Sequence, residues 1–577
     1  MRDGAQFFTQ PASTAQRRYE AMRAYFVDEA SAAEVADRFG YSTASVHQMA
    51  TLLRKERMEF FAKTKPGPKG PTKAGRVRDR VLELRARDLS VTEIAAALVE
   101  EGTPVSAQTV WSILGADGIG RLDRDNAQPR RGTPKRLDPV KAKGLPDWPT
   151  TRLPCDHAGL LLLLPAMVEL DLPGLVAAAG YPGTSMISAW QSVGALLLAK
   201  SARKARAHHI DGLADDTALG LALGLTALPK ATHANTYSYR VDRDANLKLQ
   251  TGVLKALLGK GFVTGEAGFN CDFHAIRHHG DPDLGAPLEE HYVPKRSQRT
   301  RSVLAFFAQD HASGDMVYSN ADITKAEQAG EIITFAKHWR EVTGTDPNLL
   351  VFDSQLTNYD VLNELSALGV PWLTLRKRGP KLLEYLAALP KSAWTTYTID
   401  RAGQYRKPEM HEETVTIKGI DDPVRQIAVR NIGHDNPTIM ITSAVIDKKA
   451  KDLFVRYAQR MLIENELDAY IGGFHLDALT SSVSLSVDFD TTLTVVAASL
   501  YRVLARKLSR YQTATPEKIW RHFLDATGTV DIADETITVE LNLRTYHPVL
   551  IDAGFADIDL PIPWLGNRRL RYRFPPR

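Results

Sequence analysis

Two aspartates occur within or directly after apolar segments that have the pattern of β-strands. Asp272 interrupts the run Phe269-Asn-Cys-Asp-Phe, and Asp353 ends the run Leu349-Leu-Val-Phe-Asp. A carboxylate at the end of a buried strand is costly unless something compensates its charge, and a divalent cation is a common compensation in catalytic sites built on a sheet. Taken singly, most such aspartates are turn caps. Together they predict a candidate metal site.

A third acid, Glu464, belongs to the segment Tyr457-Ala-Gln-Arg460-Met-Leu-Ile-Glu464. Spacings of three and four residues predict that Tyr457, Arg460 and Glu464 lie on one face of a helix. The simpler interpretation is an exposed helix face that carries an Arg–Glu pair. If the acids act together, this face must pack against the strand ends; otherwise Glu466 or Asp468 is the next candidate.

The pattern Tyr-x2-Arg-x3-Glu, after an Asp-ended strand and a β-rich insertion, resembles the DDE transposases of bacterial insertion sequences, specifically the insertion-sequence-four-like branch. The resemblance runs from about Gly268 to Lys507. It also includes the segments Val351-Phe-Asp-Ser-Gln, Leu375-Arg-Lys-Arg378 and Phe474-His-Leu-Asp-Ala-Leu-Thr-Ser-Ser. The likeness implies an α/β RNase H-like catalytic core in which Asp272, Asp353 and Glu464 are both the catalytic and the metal-binding residues.

The same resemblance implies metal-dependent cleavage and strand transfer of DNA. Both steps are in-line attacks on phosphorus, in which two metal ions about 3.5 to 4 Å apart stabilise the attacking and leaving oxygens. Carboxylate ligands suit Mg²⁺, with Mn²⁺ as a substitute, and no covalent enzyme intermediate is implied. Tyr457, Arg460, Arg376 and Arg378 would hold DNA near the cleavage point. The family often has Lys seven positions after the Glu; here Ile471 stands there, so one DNA-end contact is absent or supplied elsewhere.

Strand and helix patterns around the acids predict a mixed sheet with helical cover. The predicted order is three strands near 268–273, 302–309 and 315–319, a helix near 325–340 and a strand at 349–353. Alternating residues between 395 and 445 predict a β insertion that protrudes from the core without displacing it. Helices are expected again from about 448 to 509.

Residues 20–55 contain a helix-turn-helix pattern. Ser31 and Glu34 form a predicted capping box, Gly40 permits a turn, Ser42 caps the second helix and Val46 points inward. The open face of that helix is then available to base edges in the major groove. Its predicted DNA contacts are Thr43, Ser45 and Gln48. The alternative is a small helical bundle with no role in nucleic-acid binding.

A second helical unit follows at residues 74–120, with a longer and less typical turn. Ser90 and Glu93 again predict a capping box, and a helix beginning after Ser106 carries the predicted DNA contacts Gln108 and Thr109. The segments that flank this unit, 54–76 and 121–146, are rich in Lys, Arg, Pro and Gly. Such segments can follow phosphates in an extended form, and Lys65 and Lys69 are predicted to do so. The alternative is a pair of solvated tethers.

The composition limits the function classes further. The 577 residues carry a formal net charge of +4, so the distribution of charge matters more than its sum. Two cysteines exclude a disulfide framework and a four-thiolate zinc site, and favour a reducing, cytoplasmic location. The most apolar stretch, residues 158–168, is too short to span a bilayer, so no membrane partner is predicted. No Gly-x4-Gly-Lys-Ser/Thr motif occurs, so the sequence gives no support for an ATP-driven mechanism.

A histidine cluster close to Asp272 raises the possibility of zinc. It consists of His274, His278, His279 and His291. This spacing matches no standard structural zinc site, and the segment is rich in Gly and Pro, so solvated or phosphate-neighbouring histidines are favoured.

These patterns predict a multidomain chain that binds double-stranded DNA and acts as a transposase, with a homodimer as the active complex. The predicted parts are residues 1–60 (first helix-turn-helix module), 61–73 (basic linker), 74–120 (second module), 121–149 (basic linker), 150–265 (helical domain), 266–510 (RNase H-like core with a β insertion at about 379–446) and 511–577 (strand-rich tail). Two alternatives remain, namely a catalytically inactive DNA-binding regulator derived from a transposase and a related metal-dependent nuclease.

Overall fold

The computed structural model describes residues 14–54, 73–86, 89–116, 142–145, 150–277, 289–293, 298–354, 356–399, 407–433, 435–443, 446–478 and 483–575. The chain divides into two compact units, Met1–Lys135 and Arg136–Arg577. Helices account for the described part of the first unit, and helices combine with mixed sheets in the second. The prediction of a multidomain α/β protein is confirmed at this level.

The first unit contains two groups of three helices. They are α1 (Thr14–Phe26), α2 (Ala32–Phe39), α3 (Thr43–Arg54), α4 (Lys73–Ala86), α5 (Val91–Glu100) and α6 (Ala107–Ala116). Helices α1 to α3 enclose one small apolar core and α4 to α6 another. Val46 is fully buried in the first core, as its position in the pattern predicts.

Both predicted capping boxes are present. The backbone N–H of Glu34 donates to Ser31 Oγ (3.3 Å) and that of Ser31 donates to Glu34 Oε2 (2.8 Å), and Ser90 and Glu93 pair in the same way. These bonds satisfy N–H groups that have no partner within the helix. Gly40 ends α2 in the left-handed conformation (φ 67°), which a residue with a Cβ adopts at a cost.

The second unit combines helices with two sheets, a larger one and a smaller one. Its helices are α7 (Leu164–Glu169), α8 (Leu172–Ala179), α9 (Ala189–Ser201), α10 (Thr217–Ala222), α11 (Ala231–Tyr237), α12 (Arg243–Gly259), α13 (Glu331–Thr343), α14 (Tyr359–Ala367), α15 (Pro380–Ala388), α16 (Ala450–Ala458), α17 (Met461–Phe474), α18 (Ser484–Lys507), α19 (Pro516–Ile519) and α20 (His547–Asp552). Its strands are β1 (Thr151–Cys155), β2 (Phe269–Arg277), β3 (Glu290–Val293), β4 (Gln298–Asp310), β5 (Met316–Asn320), β6 (Leu350–Val351), β7 (Trp372–Leu375), β8 (Thr395–Thr396), β9 (Glu409–Val415), β10 (Val424–Arg430), β11 (Thr438–Thr442), β12 (Gly528–Ile532), β13 (Thr536–Leu541), β14 (Leu560–Ile562) and β15 (Arg568–Arg573).

The larger sheet has the strand order β3-β4-β2-β6-β7-β11-β10-β9-β8, and β5 also pairs with β4. Strands β2, β4 and β5 pair antiparallel, whereas β6 runs parallel to β2 and β7 runs parallel to β6. Helix α13 lies between β5 and β6 in the chain. The three predicted strands, the helix and the following strand are present, and the prediction of a mixed sheet is confirmed. The sequence did not predict β3, which lies between β2 and β4 in the chain and pairs with β4.

The inserted strands extend this sheet from its β7 edge. Strand β11 pairs antiparallel with β7, and β10, β9 and β8 follow outward. The insertion therefore leaves the order of β4, β2, β6 and β7 intact, as expected. It does not form a sheet of its own, because its backbone hydrogen bonds continue those of the core.

Helix α18 is buried along most of its length and fixes the helical layer to the sheet. Near its start, the fully buried Asp488 carboxylate accepts hydrogen bonds from Arg243 Nη1 (2.9 Å), Asn246 Nδ2 (2.8 Å) and the backbone N–H of Ala321 (2.9 Å). A buried carboxylate needs such partners to be tolerated. Asp488 thereby ties α12 and the segment after β5 to α18.

The smaller sheet joins distant parts of the sequence. Its order is β1-β12-β13-β15-β14, so the strand-rich C-terminal residues pair with β1 at the start of the helical region.

Within the described ranges, no single helix is long and apolar enough to cross a bilayer. The helices Ala158–Glu169 and Leu172–Ala179, bent by 64°, reach the required length and hydropathy only when they are taken together.

Candidate active site

Asp272 lies in the middle of β2, a central strand of the larger sheet. It is 9% exposed, and it stands opposite Phe307 of β4 in the antiparallel register. Its Oδ1 accepts a hydrogen bond from the backbone N–H of Phe273 (2.8 Å). The strand therefore holds a carboxylate in the sheet interior, where its ionised form requires a compensating charge.

Asp353 comes to the same level of the sheet through β6. Because β6 pairs parallel with β2 and aligns Asn270 with Val351, the residues two positions further along are Asp272 and Asp353. The Asp353 backbone carbonyl accepts hydrogen bonds from the hydroxyls of Thr357 and Thr374, both at 3.2 Å. The two aspartates thus lie at the same level of neighbouring strands, Asp272 within β2 and Asp353 two residues after the end of β6.

Glu464 reaches the aspartates through Arg460. Nη1 of Arg460 lies 2.9 Å from Asp272 Oδ2, and its Nη2 lies 2.6 Å from Glu464 Oε1. The guanidinium therefore bridges a buried carboxylate and one whose side chain is 45% exposed. Hydrogen bonds between such charged groups are stronger than neutral ones.

The single helix predicted for Tyr457, Arg460 and Glu464 is wrong in detail. Helix α16 ends at Ala458 and α17 begins at Met461, so Tyr457 lies in α16 and Glu464 in the first turn of α17. Arg460 is the residue before α17, and its backbone N–H donates to the Tyr457 carbonyl (2.9 Å). Since the break keeps helical dihedral angles at Arg460, the three side chains still converge.

The electrostatics of the site follow from this packing. Burial raises the pKa of Asp272 to about 6, with further increases from Asp353 and Glu464 and an opposing effect from Arg460. Burial also raises the pKa of Tyr457 to about 12, although Arg460 opposes the shift. The negative charges of Asp353 and Glu464 therefore act on Asp272, and those of Asp353 and Asp272 act on the Tyr457 phenol.

The donor types fit a divalent cation, since Mg²⁺ prefers carboxylate oxygens. The guanidinium, however, occupies the position between Asp272 and Glu464. In the part of the chain that the structure describes, no three His, Cys, Asp or Glu side chains are arranged to hold one ion. A shared cation therefore requires Arg460 to release at least one of these carboxylates.

Two residues that the sequence did not single out help to build the site. Arg456 of α16 donates from Nη1 to Asn270 Oδ1 of β2 (2.6 Å), and burial lowers the pKa of Arg456 to about 10. This contact attaches α16 to the strand that carries Asp272. This contact could hardly be predicted from the sequence, because a buried Arg and an Asn give no periodic pattern.

The reserve candidate Glu466 belongs to a different ion cluster. Its Oε2 lies 2.7 Å from Arg502 Nη2, and Arg502 and Arg506 also contact the buried Asp315. Glu466 therefore joins α17 to α18 and does not face Asp272. Ile471 packs against the main hydrophobic core, so this position presents no charge to solvent.

Within the second unit, no described contact joins Arg376 or Arg378 to this site. Arg376 is half-buried and hydrogen-bonds to Gln426 of β10, whereas Arg378 is exposed. In the first unit, Thr43, Gln48 and Gln108 are exposed. The hydroxyls of Ser45 and Thr109 pair with the capping residues Ser42 and Ser106, at 2.8 and 2.9 Å.

Some predicted residues lie outside the described part of the chain. They are Lys65, Lys69, His278 and His279. His274 is partly buried on β2, and the side chain of His291 is not described.

No protein-family model matches this chain, and a comparison with curated proteins gives no match either. What the chain does must therefore be inferred from the geometry of the site and from its sequence motifs.

Proposed function

We propose that this protein is a DDE transposase, which binds the ends of a mobile DNA element and catalyses metal-dependent cleavage and strand transfer. The observation that carries the proposal is the convergence of Asp272, Asp353 and Glu464 around Arg460. Three acids from two strands and a helix, separated by up to 192 positions in the chain, have no local reason to meet. Binding the same metal ions would explain why these three acids lie together.

Asp272, Asp353 and Glu464 would hold Mg²⁺, or Mn²⁺ in its place, as two ions. When bound, these ions would stabilise negative charge on the attacking and leaving oxygens of the phosphodiester. Arg460 would contact a phosphate of the DNA end through its planar guanidinium once it leaves a carboxylate. Tyr457, directly beside it, would position the same DNA segment. The buried sheet beneath Asp272 keeps these side chains in fixed relation.

The fold is compatible with the RNase H-like core that the sequence resemblance implies. Support comes from the mixed sheet, from the parallel pairing of β2 with β6 and from the insertion that extends one edge. The two three-helix groups of the first unit are compatible with helix-turn-helix modules, whose exposed Thr43, Gln48 and Gln108 would read DNA. A homodimer on double-stranded DNA in the bacterial cytoplasm belongs to the same proposal.

One observation favours the second candidate, a catalytically inactive DNA-binding regulator. Arg460 already neutralises Asp272 and Glu464, and such a bridge is also a stable structural endpoint. A nuclease that cuts without joining would share the acids. Only the reaction products separate these possibilities.

A strand-transfer assay distinguishes the three functions. The full chain is incubated with Mg²⁺, labelled DNA that carries the ends of its own element, and a supercoiled target plasmid. A transposase yields cleaved ends joined to the plasmid. Cleavage without joined product would indicate a nuclease, and binding without cleavage in either Mg²⁺ or Mn²⁺ would indicate a regulator; both results would refute the proposal.

A further inference from the structure

We propose a second nucleic-acid site in the helical layer, which binds a single-stranded segment of DNA and rests on the proposed function. The site is a cleft of about 310 Å³ between α9, α11 and α18. We call it the basic cleft and define it by the residues Lys200, Lys204, Arg206, His208, Tyr239 and Asp490. Neither the sequence motifs nor the transposase resemblance assigned any chemistry to this region.

Two cations of the basic cleft have no acidic partner. Among the described residues, no carboxylate lies within ion-pair distance of Lys204 or Arg206, and Arg206 is exposed. Their neighbours differ, because Lys200 lies 2.8 Å from Asp490 and Arg203 lies 3.2 Å from Glu517. The cleft's carboxylate is thus already paired, and two positive charges remain for an external anion.

The positive region continues beyond the cleft. An adjoining open depression of about 600 Å³ shares Lys204 and His208 with it and adds His209, His475 and Arg203, of which Arg203 is paired with Glu517. Burial lowers the pKa of His209, and the positive charges of His208, Arg206 and Lys204 lower it further. Asp211 also lines the depression; its Oδ1 accepts the backbone N–H of Ala231 (3.0 Å), and its carboxylate keeps its negative charge. A chain of phosphates, rather than one small anion, matches this extended surface.

An exposed aromatic ring stands at the same cleft. Tyr239 is 64% exposed, in the short turn Ser238–Arg240 after α11. The neighbouring Arg240 lies over the ring of Tyr237 (4.9 Å) and not over the ring of Tyr239. Basic grooves with exposed aromatic rings are typical of single-stranded nucleic-acid sites, because unpaired bases stack on the rings. In a duplex, the bases are not available for such stacking.

The position of the depression also favours DNA. His475 follows the C-terminal end of α17, whereas Glu464 lies in the first turn of that helix. Eleven residues of helix separate the two positions by roughly 16 Å. A DNA strand held at the acids is therefore within a few nucleotides of the basic region.

The test uses the full chain and a fluorescent single-stranded oligonucleotide. Anisotropy gives Kd over a range of salt concentrations for wild type, for Lys204→Ala/Arg206→Ala and for Tyr239→Ala. The control, Lys248→Ala/Lys337→Ala, removes two exposed lysines outside the cleft. We expect the slope of log K against log salt to fall by about 1.4 in the cleft double variant, at about 0.7 per phosphate contact. Tyr239→Ala should weaken binding by about tenfold through lost stacking.

Several results would overturn this site. They are no binding of the oligonucleotide by wild type, equal slopes in the cleft and control variants, an equal loss of duplex binding in the cleft variant, and displacement of the strand by millimolar inorganic phosphate or ADP. The last result would assign the cleft to free phosphate or a nucleotide. If wild type joins DNA in the strand-transfer assay while the cleft variants bind like the control, this inference fails and the proposed function stands.

Discussion

Arg460 is the residue on which the site depends in the metal-free chain. It compensates Asp272, a carboxylate that is 9% exposed and has two other acids nearby. Removing one partner of a buried ion pair leaves an uncompensated charge, which typically costs several kcal/mol. The same guanidinium is also what a cation must displace from between Asp272 and Glu464.

Because Arg460 lies where a cation would bind, we expect a divalent cation to restore the stability that is lost when Arg460 is replaced. Arg460→Met should lower the free energy of unfolding by about 3 kcal/mol in EDTA, because Asp272 loses its counter-charge. Mg²⁺ or Mn²⁺ should raise the Tm of Arg460→Met by more than it raises that of wild type, since a cation then meets no competing guanidinium. Differential scanning fluorimetry across metal concentrations measures both effects.

Arg502→Met provides the matched control. Arg502 also joins two acids, Glu466 and Asp315, in a buried position, but away from Asp272. It should destabilise the chain without metal rescue. Equal rescue of both variants, or none for Arg460→Met, would contradict the placement of a cation among the three acids.

At this scale, the sequence predicted the acids but not their bridge. Asp272 and Asp353 were recognisable because each interrupts or ends an apolar run. The Arg460–Asp272 contact joins residues 188 positions apart, and only the tertiary packing brings them together. Arg456 was missed for the same reason, since its partner Asn270 is 186 positions away in the chain.

Among the elements, the alignment of β2 with β6 sets the level of the two aspartates. Gly268 precedes β2 with φ 73°, and a Cβ there would lie 2.3 Å from the Leu349 carbonyl oxygen. The backbone N–H of Phe269 donates to that same oxygen (2.7 Å). The glycine therefore permits the close approach on which the strand pairing depends.

Gly268→Ala should destabilise the chain by about 3 kcal/mol, because the strained φ and the collision with backbone add. Gly344→Ala is the control, since Gly344 has φ 76° with nothing within 4 Å of its added Cβ. It should cost only about 1 kcal/mol. Urea unfolding followed by circular dichroism measures both, and equal losses would mean that the approach of β2 to Leu349 is not constraining.

Element types were predictable where periodicity was strong. The three antiparallel strands, α13 and the alternating insertion all follow from local patterns. The break between α16 and α17 did not, because Gln459 and Arg460 are neither Gly nor Pro and the apolar spacing continues across them. The pairing of the inserted strands with β7 could not be predicted either, since a strand's own sequence does not specify its pairing partner.

Over the whole molecule, the chain separates into a helical unit and an α/β unit that carries the acids. The sequence predicted seven parts from basic linkers, capping boxes and strand patterns, and that finer division stays a prediction. It did not predict that β1 pairs with β12, because those strands are separated by more than 370 residues. Long-range pairing of this kind encloses the helical layer and the larger sheet within one compact unit.

The most direct test of the central claim is DNA cleavage by the purified full chain and its acid variants. With Mg²⁺ and DNA from the ends of its element, wild type should nick the DNA, whereas Asp353→Asn and Glu464→Gln should reduce cleavage at least about a hundredfold. DNA-end binding, measured by gel shift, should remain within about twofold for both variants, because the helical unit is unchanged. Near-normal cleavage by either variant would contradict the assignment of that acid to the site.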